Sequence, residues 1–188
     1  MKVRSKILKM LLVGALAAAS LNVVVGGGAQ AANVAASDPL PSLVRIVNFG
    51  SNKCAEVNQF GDPSVNGERV VQRTCDSSPE QIWATVRVNL SGNDYRFVNR
   101  VSGKCLDVKD GTNADRTPIQ QWDCRGGPSM TWRINPGSFS GVHQVISRTG
   151  SRCLDVANGS VDDGAQIQIY RCSGFGNAAQ VWSFTAAA

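Results

Sequence analysis

Cys153-Leu154-Asp155-Val156 repeats Cys105-Leu106-Asp107-Val108 residue for residue, and Cys54-Ala55-Glu56-Val57 keeps the cysteine, an acidic residue two places on and the valine. A second cysteine follows each segment, at Cys172, Cys124 and Cys75, separated from the first by 19, 19 and 21 residues. Beyond it each time comes an aromatic closure: Gln180-Val181-Trp182, Met130-Thr131-Trp132 and Gln81-Ile82-Trp83. The unit recurs about every 50 residues. Self-similarity at a period of roughly 20 to 50 residues dictates architecture ahead of any local feature.

Within each unit the pattern predicts short strands. Apolar residues alternate, as in Tyr95 and Phe97 or Ile167 and Ile169, and clusters of Gly, Asn, Asp, Ser or Pro separate the runs. Nothing reads as a long amphipathic helix. Three units, none able to bury its apolar face alone, can do so by closing around a shared axis, with Trp83, Trp132 and Trp182 as equivalent core wedges. The expected fold is all-β: a β-trefoil of three Cys-bridged repeats, at about 43–93, 94–141 and 142–185, within a domain spanning 43–188.

Residues 1–31 read as a cleavable secretory signal. Lys2, Arg4, Lys6 and Lys9 form a basic start, Met10 to Val25 an apolar run, and Ala29-Gln30-Ala31 a small-x-small cleavage site. The run is diluted by Gly14, Ser20 and Asn22 and falls short of the ~20 apolar residues of a spanning helix, so no stable membrane insertion is expected after cleavage. Residues 32–42 then form a short linker. The whole chain carries +5, but removing the four basic residues of the leader leaves 15 Lys and Arg against 14 Asp and Glu, a net +1. That balance removes the electrostatic case for nucleic acid as a partner. The expected product is a secreted monomer, with all 6 Cys in the exported part. Pairing within each unit closes a loop of about 20 residues, contributing roughly 3 kcal/mol in the chain-entropy picture. Pairing across units is open too, but breaks the symmetry.

Strand parity puts Asp107 on the face of Cys105, and Gln120 and Trp122 on that of Cys124. In the third unit the same rule groups Asp155 with Cys153, and Gln168 and Tyr170 with Cys172. If bridged cysteines sit opposite one another, Asp107 faces Trp122 and Asp155 faces Tyr170, both pairs outward, while Ile119, Ile167 and Ile169 turn to the core. The first unit then sets Glu56 against Arg73, an ion pair, with Val71 in place of the amide. A carboxylate beside an aromatic plate and an amide suits a sugar: the ring packs on the apolar face of a pyranose and the polar groups meet its hydroxyls.

These residues resemble the ricin-B-type lectins and carbohydrate-binding modules, whose units each carry a Cys-x-Asp segment and a Gln-x-Trp closure. The match runs from about Leu43 to Thr185. The resemblance implies a β-trefoil, no catalysis, and binding of galactose-type sugars or polysaccharides such as xylan in shallow pockets. It implies that the acidic residue, the Gln and aromatic before the second Cys, and an Asn-Gln pair opening the closure contact or orient the sugar. Carried over, the third repeat supplies Asp155, Gln168, Tyr170 and Gln180, and the second Asp107, Gln120 and Trp122. The second repeat has Ser129-Met130 for the Asn-Gln pair. In the third, Ala179 holds the Asn place and Asn177 lies two residues earlier, in reach of the site. The first repeat lacks the aromatic and is expected to be silent.

Other chemistry finds less support. His143 aligns with Tyr95 and Val44, ten residues before the first Cys of each unit, and reads as a packing or surface residue. With the cysteines oxidised no Cys-His nucleophile is expected, nor is a zinc or calcium set, and no cofactor is implied. Asp162-Asp163-Gly164 reads as a turn rather than an acid pair. Asn89-Leu90-Ser91 and Asn158-Gly159-Ser160 fit the glycosylation pattern, read here as chance matches in turn-rich sequence. No enzyme is expected. The competing function is a trefoil that inhibits a protease or binds another protein through loops such as Phe60 to Glu68 and Gly137 to Gly141.

Overall fold

Apolar alternation broken by turn residues yields short strands throughout, as a computed structural model of residues 39–58, 62–89, 92–139 and 141–187 describes. The first repeat contributes β1 (Leu43–Asn48), β2 (Lys53–Val57), β3 (Val70–Thr74) and β4 (Trp83–Arg87). The second contributes β5 (Asp94–Asn99), β6 (Cys105–Val108), β7 (Thr117–Trp122) and β8 (Trp132–Pro136). The third contributes β9 (His143–Ser147), β10 (Cys153–Val156), β11 (Ile167–Tyr170) and β12 (Trp182–Ala186). The helical pieces among the described residues are three-residue 3₁₀ turns. The leader, the linker as far as residue 38, Phe60 and most of the Asn89-Leu90-Ser91 motif lie outside the described residues.

The first and last strands of each repeat join into a closed antiparallel ring, β1-β4-β5-β8-β9-β12 and back to β1. Closure leaves no free edge in the ring. The two middle strands form a hairpin, β2–β3, β6–β7 or β10–β11, that covers the ring. This is the expected all-β trefoil.

Trp83, Trp132 and Trp182 have no exposed surface and occupy equivalent ring positions, opposite Val44, Tyr95 and His143 respectively. Each indole N–H is satisfied by the hairpin of its own repeat, donating to the carbonyls of Ala55 at 3.0 Å, Leu106 at 3.1 Å and Leu154 at 2.9 Å. A buried tryptophan needs such a partner. The same tryptophan therefore fills the core and ties ring to hairpin. Ile119, Ile167 and Ile169 are wholly buried, as parity requires.

The disulfides close within repeats, Cys54–Cys75, Cys105–Cys124 and Cys153–Cys172. The register differs from the expectation by two residues. Cys105 stands opposite Trp122 and Cys153 opposite Tyr170, so that Asp107 faces Gln120 and Asp155 faces Gln168. In the first repeat Cys54 faces Arg73 and Glu56 faces Val71, although Arg73 Nε still reaches Glu56 Oε1 at 2.7 Å along the diagonal.

The cause of this offset lies in the neighbouring repeat. The residue before each second cysteine gives its N–H to a loop of the preceding repeat: Thr74 to Asp163 Oδ1 at 2.7 Å, Asp123 to Asn66 Oδ1 at 2.8 Å and Arg171 to Asp115 Oδ1 at 2.9 Å. The chain is thus held outward there, and the second cysteine turns back over the first from beyond the paired residues. Three clasps, each built by a residue nine places before a second cysteine, link the repeats in a ring. Asp163 in one of them confirms that Asp162-Asp163-Gly164 is a structural turn. Beneath two of the clasps, buried Gln121 donates to the Pro63 and Val65 carbonyls at 2.7 and 3.0 Å, and buried Gln72 to those of Ser160 and Asp162 at 2.8 and 2.9 Å.

Candidate functional site

The two-residue shift places carboxylate and amide directly across the hairpin. Gln168 Nε2 donates to Asp155 Oδ1 at 2.8 Å, and Gln120 Nε2 to Asp107 Oδ2 at 2.9 Å. In both repeats the aromatic, Tyr170 or Trp122, lies one step along the same face, half-buried. Asp155 and Asp107 are 6 % and 5 % exposed, so they form the floors of concave sites instead of standing outward as expected. The cavity over Asp155 measures ≈ 330 Å³ and that over Asp107 ≈ 340 Å³, each large enough for one sugar ring.

Around the third-repeat cavity the structure brings together Asp155, Gln168, Tyr170 and Asn177. Asn177 also caps the following turn, accepting from the Ala179 N–H at 3.2 Å, and its amide donates to Ser173 Oγ at 2.9 Å. Gln180 is different. It has no exposed surface and lies behind the carboxylate, donating to Asp155 Oδ2 at 3.1 Å and to the Arg171 carbonyl at 3.0 Å. Its role is to hold Asp155. Both oxygens of the Asp155 carboxylate are thereby fixed by amides, which leaves the remaining lone pairs to accept from hydroxyls in the cavity.

The second-repeat cavity gathers Asp107, Gln120 and Trp122. Met130 occupies the place of Gln180, and the Ser129 side chain lies at the cavity near Asp107, where it favours the ionised carboxylate. Burial pushes the carboxyls of Asp155 and Asp107 above the ordinary value of 3.8, against the pull of the bonds they accept. In the first repeat Glu56 is fully enclosed, with Arg73 Nε on one oxygen and Gln81 Nε2 on the other, each at 2.7 Å. Without exposed surface, its carboxylate presents no oxygen to a ligand.

Several cavity residues were missed in the sequence, Arg125 and Gly126 of the second cavity among them. Asn158 and Gly159 line the third-repeat cavity and Asp110 and Gly111 the second, each pair three and four places after the acidic residue. Asn158 (φ 58°) and Asp110 (φ 55°) are left-handed. The Asn-Gly and Asp-Gly pairs were a legible turn signal, read in one case only as a glycosylation motif. Arg116 also lines the third-repeat cavity, from a loop of the second repeat. His143 packs on Phe184 with ring centroids 5.3 Å apart, and burial lowers its pKa from the ordinary 6.5.

The match to known proteins agrees with this geometry. Residues 29–122 and 128–188 fit the family model of ricin-type β-trefoil lectin-like domains. A designed threefold-symmetric protein, ThreeFoil, is similar in structure, with TM-score 0.72 and 27% identity over 78% of this chain and 99% of that one. The exo-β-1,3-galactanase 1,3Gal43A from Clostridium thermocellum superposes with TM-score 0.71 and 30% identity, over 79% of this chain and 31% of the galactanase. The Macrolepiota procera ricin B-like lectin, solved with lactose, shares the fold at TM-score 0.67 and 14% identity, over 81% of this chain and 100% of that one. With most of its length inside the family model, the chain belongs to the ricin-type β-trefoil lectin-like domain family.

Proposed function

We propose that this protein binds galactose-type or xylan-type glycans through the third repeat and, with Met130 in the place of Gln180, through the second, while the first is silent. The observation that carries this reading is the buried carboxylate of Asp155, pinned by Gln168 and Gln180 and left open to a cavity walled by Tyr170. A pyranose laid against the tyrosine would give its hydroxyl hydrogens to Asp155. The part of the galactanase that is similar to this chain accounts for 31% of that enzyme, which makes β-1,3-galactan the first ligand to test. The family is typically non-catalytic, and we assign this member to recognition outside the cell, where its disulfides persist.

One shallow pocket binds weakly. Two on a rigid scaffold raise avidity by ~10² to 10⁴ on a polymer, so galactan or xylan is expected to bind far more tightly than galactose. Calorimetric titration of galactose, galactan and xylan into the mature protein tests the reading. Heat of binding that disappears in an Asp155→Asn, Trp122→Ala double variant of unchanged melting temperature supports it. Absence of binding to all three, or binding that survives the double variant, overturns it.

A further inference from the structure

Arg116 reaches the third-repeat cavity from the second repeat, and its position is built. Its backbone is left-handed at φ 70°, where the equivalent residues eight places before a second cysteine are Gly67 (φ 88°) and Gly164 (φ 83°). A side chain in that conformation costs conformational energy that glycine avoids. The surroundings hold it there. The Arg116 N–H donates to the Ile169 carbonyl at 2.9 Å, and the preceding Asp115 is clamped by Arg171 Nη2 at 2.9 Å and Arg152 Nη1 at 3.3 Å.

Arg116 stands apart from the arginines beside it, and the arginine at the second cavity, Arg125, lies over the Trp122 ring, 5.8 Å from its centroid. Asp115 pairs with both neighbouring guanidiniums, Arg171 and Arg152, whereas Arg116 is exposed at the cavity and joins no ion pair among the described residues. At the second-repeat cavity the equivalent place is Gly67, where a Cβ would lie 3.8 Å from Trp122 Cζ3 and no side chain enters. The third cavity thus has an acceptor at its floor, Asp155, and an uncommitted forked donor at its rim.

Resting on the saccharide reading above, we propose that Arg116 makes the third repeat selective for a sugar carrying a carboxylate, a uronic acid unit of the glycan. The sugar's hydroxyls face Asp155 and its carboxylate meets the guanidinium, a geometry in which arginine forms paired hydrogen bonds. Because the pair is at an exposed rim, the preference is about two- to fivefold and falls with salt.

Galactose and galacturonic acid, which differ at one carbon, provide the test. Their affinities are measured calorimetrically for the wild type, Arg116→Gly and Arg116→Lys at low salt and near 1 M salt. The glycine variant places in this loop the residue its two counterparts have, so folding is retained, and melting temperature verifies this. The expected result is a two- to fivefold preference for the acid in the wild type that shrinks at high salt, drops to about one in Arg116→Gly and is partly kept in Arg116→Lys. Galactose binding without that preference, or a preference unchanged in Arg116→Gly, overturns the proposal and leaves the saccharide reading standing. Failure of either sugar to bind any variant overturns both.

Discussion

Gln180, without exposed surface, holds Asp155 Oδ2 at 3.1 Å, and this bond is what most separates the third repeat from the second, where Met130 occupies the same place. The amide does more than orient one oxygen. Its own oxygen accepts the Ser173 N–H at 2.9 Å and its nitrogen also reaches the Arg171 carbonyl, so a single buried side chain joins the carboxylate to the segment after the strand.

Gln180→Met, the second repeat's solution, is therefore expected to strip Asp155 of one partner and to leave the part-buried Ser173 N–H and Arg171 carbonyl without theirs. Such losses cost about 1–3 kcal/mol. For a domain of this size that is a fall of roughly 2–10 °C in melting temperature, with sugar affinity reduced several-fold. Differential scanning calorimetry and titration read the two effects. An unchanged melting temperature would mean that the amide is not needed to hold the carboxylate.

Sugar binding at the third repeat is expected to weaken with acidification before an ordinary aspartate would titrate. Burial raises the Asp155 pKa above 3.8, and the ionised form is the better acceptor for hydroxyls. The folded state binds that proton more tightly than the unfolded chain, so the sign for stability is opposite. Protonation of Asp155 as pH falls favours the fold at this position while it discharges the site. Affinity measured between pH 7 and 3.5 should decline from above 3.8 in the wild type and decline less in Asp155→Asn, where only Asp107 of the second repeat still titrates at a sugar site.

His143 makes a second pH-dependent contribution, with the other sign. Its Nδ1 is buried without a partner and desolvation lowers its pKa below 6.5, so the folded protein carries it neutral where the unfolded chain takes a proton. Stability from this position is complete above 6.5 and is lost as pH falls through the lowered value. Chemical denaturation from pH 7.5 to 5 should show that decline, and His143→Tyr, the residue found at the equivalent Tyr95, should flatten it.

The ring of clasps rests on buried glutamines in two of its three places. Gln121→Ile copies Ile169 of the third repeat, but here it leaves the Pro63 and Val65 carbonyls without the amide that holds them. A loss of about 1–3 kcal/mol is expected in urea denaturation. Hydrogen exchange should quicken at Gly67, whose N–H bonds the Gln121 carbonyl at 2.9 Å, ahead of the core strands. Equal stability of variant and wild type would place the strength of the clasp elsewhere.

The architecture was legible because it is periodic. A cysteine pair and a tryptophan in register three times over define the repeats, the pairing and the core wedges, and strand parity correctly placed Asp155, Gln168 and Tyr170 on one face. Parity says which face a residue occupies and nothing about which residue stands opposite, so the register slipped by two. It slipped because the N–H groups of Asp123 and Arg171 bond loops of another repeat, a contact that exists only after the ring has closed. Arg116 escaped for the same reason. Its loop belongs to one repeat and its side chain to the cavity of the next. Met130 and Ser129 were correctly seen as departures, but the closeness of the Ser129 hydroxyl to Asp107 needed the three-dimensional arrangement.

The central claim is that the cavity floored by Asp155 takes a sugar, and backbone amide shift mapping during titration with a galactose disaccharide tests it most directly. The largest shifts should fall on Asp155, Asn158, Tyr170 and Asn177, with smaller ones at Asp107 and Trp122. Shifts gathered instead around the exposed rings of Phe49 and Phe139, or no shifts at saturating sugar, would contradict it.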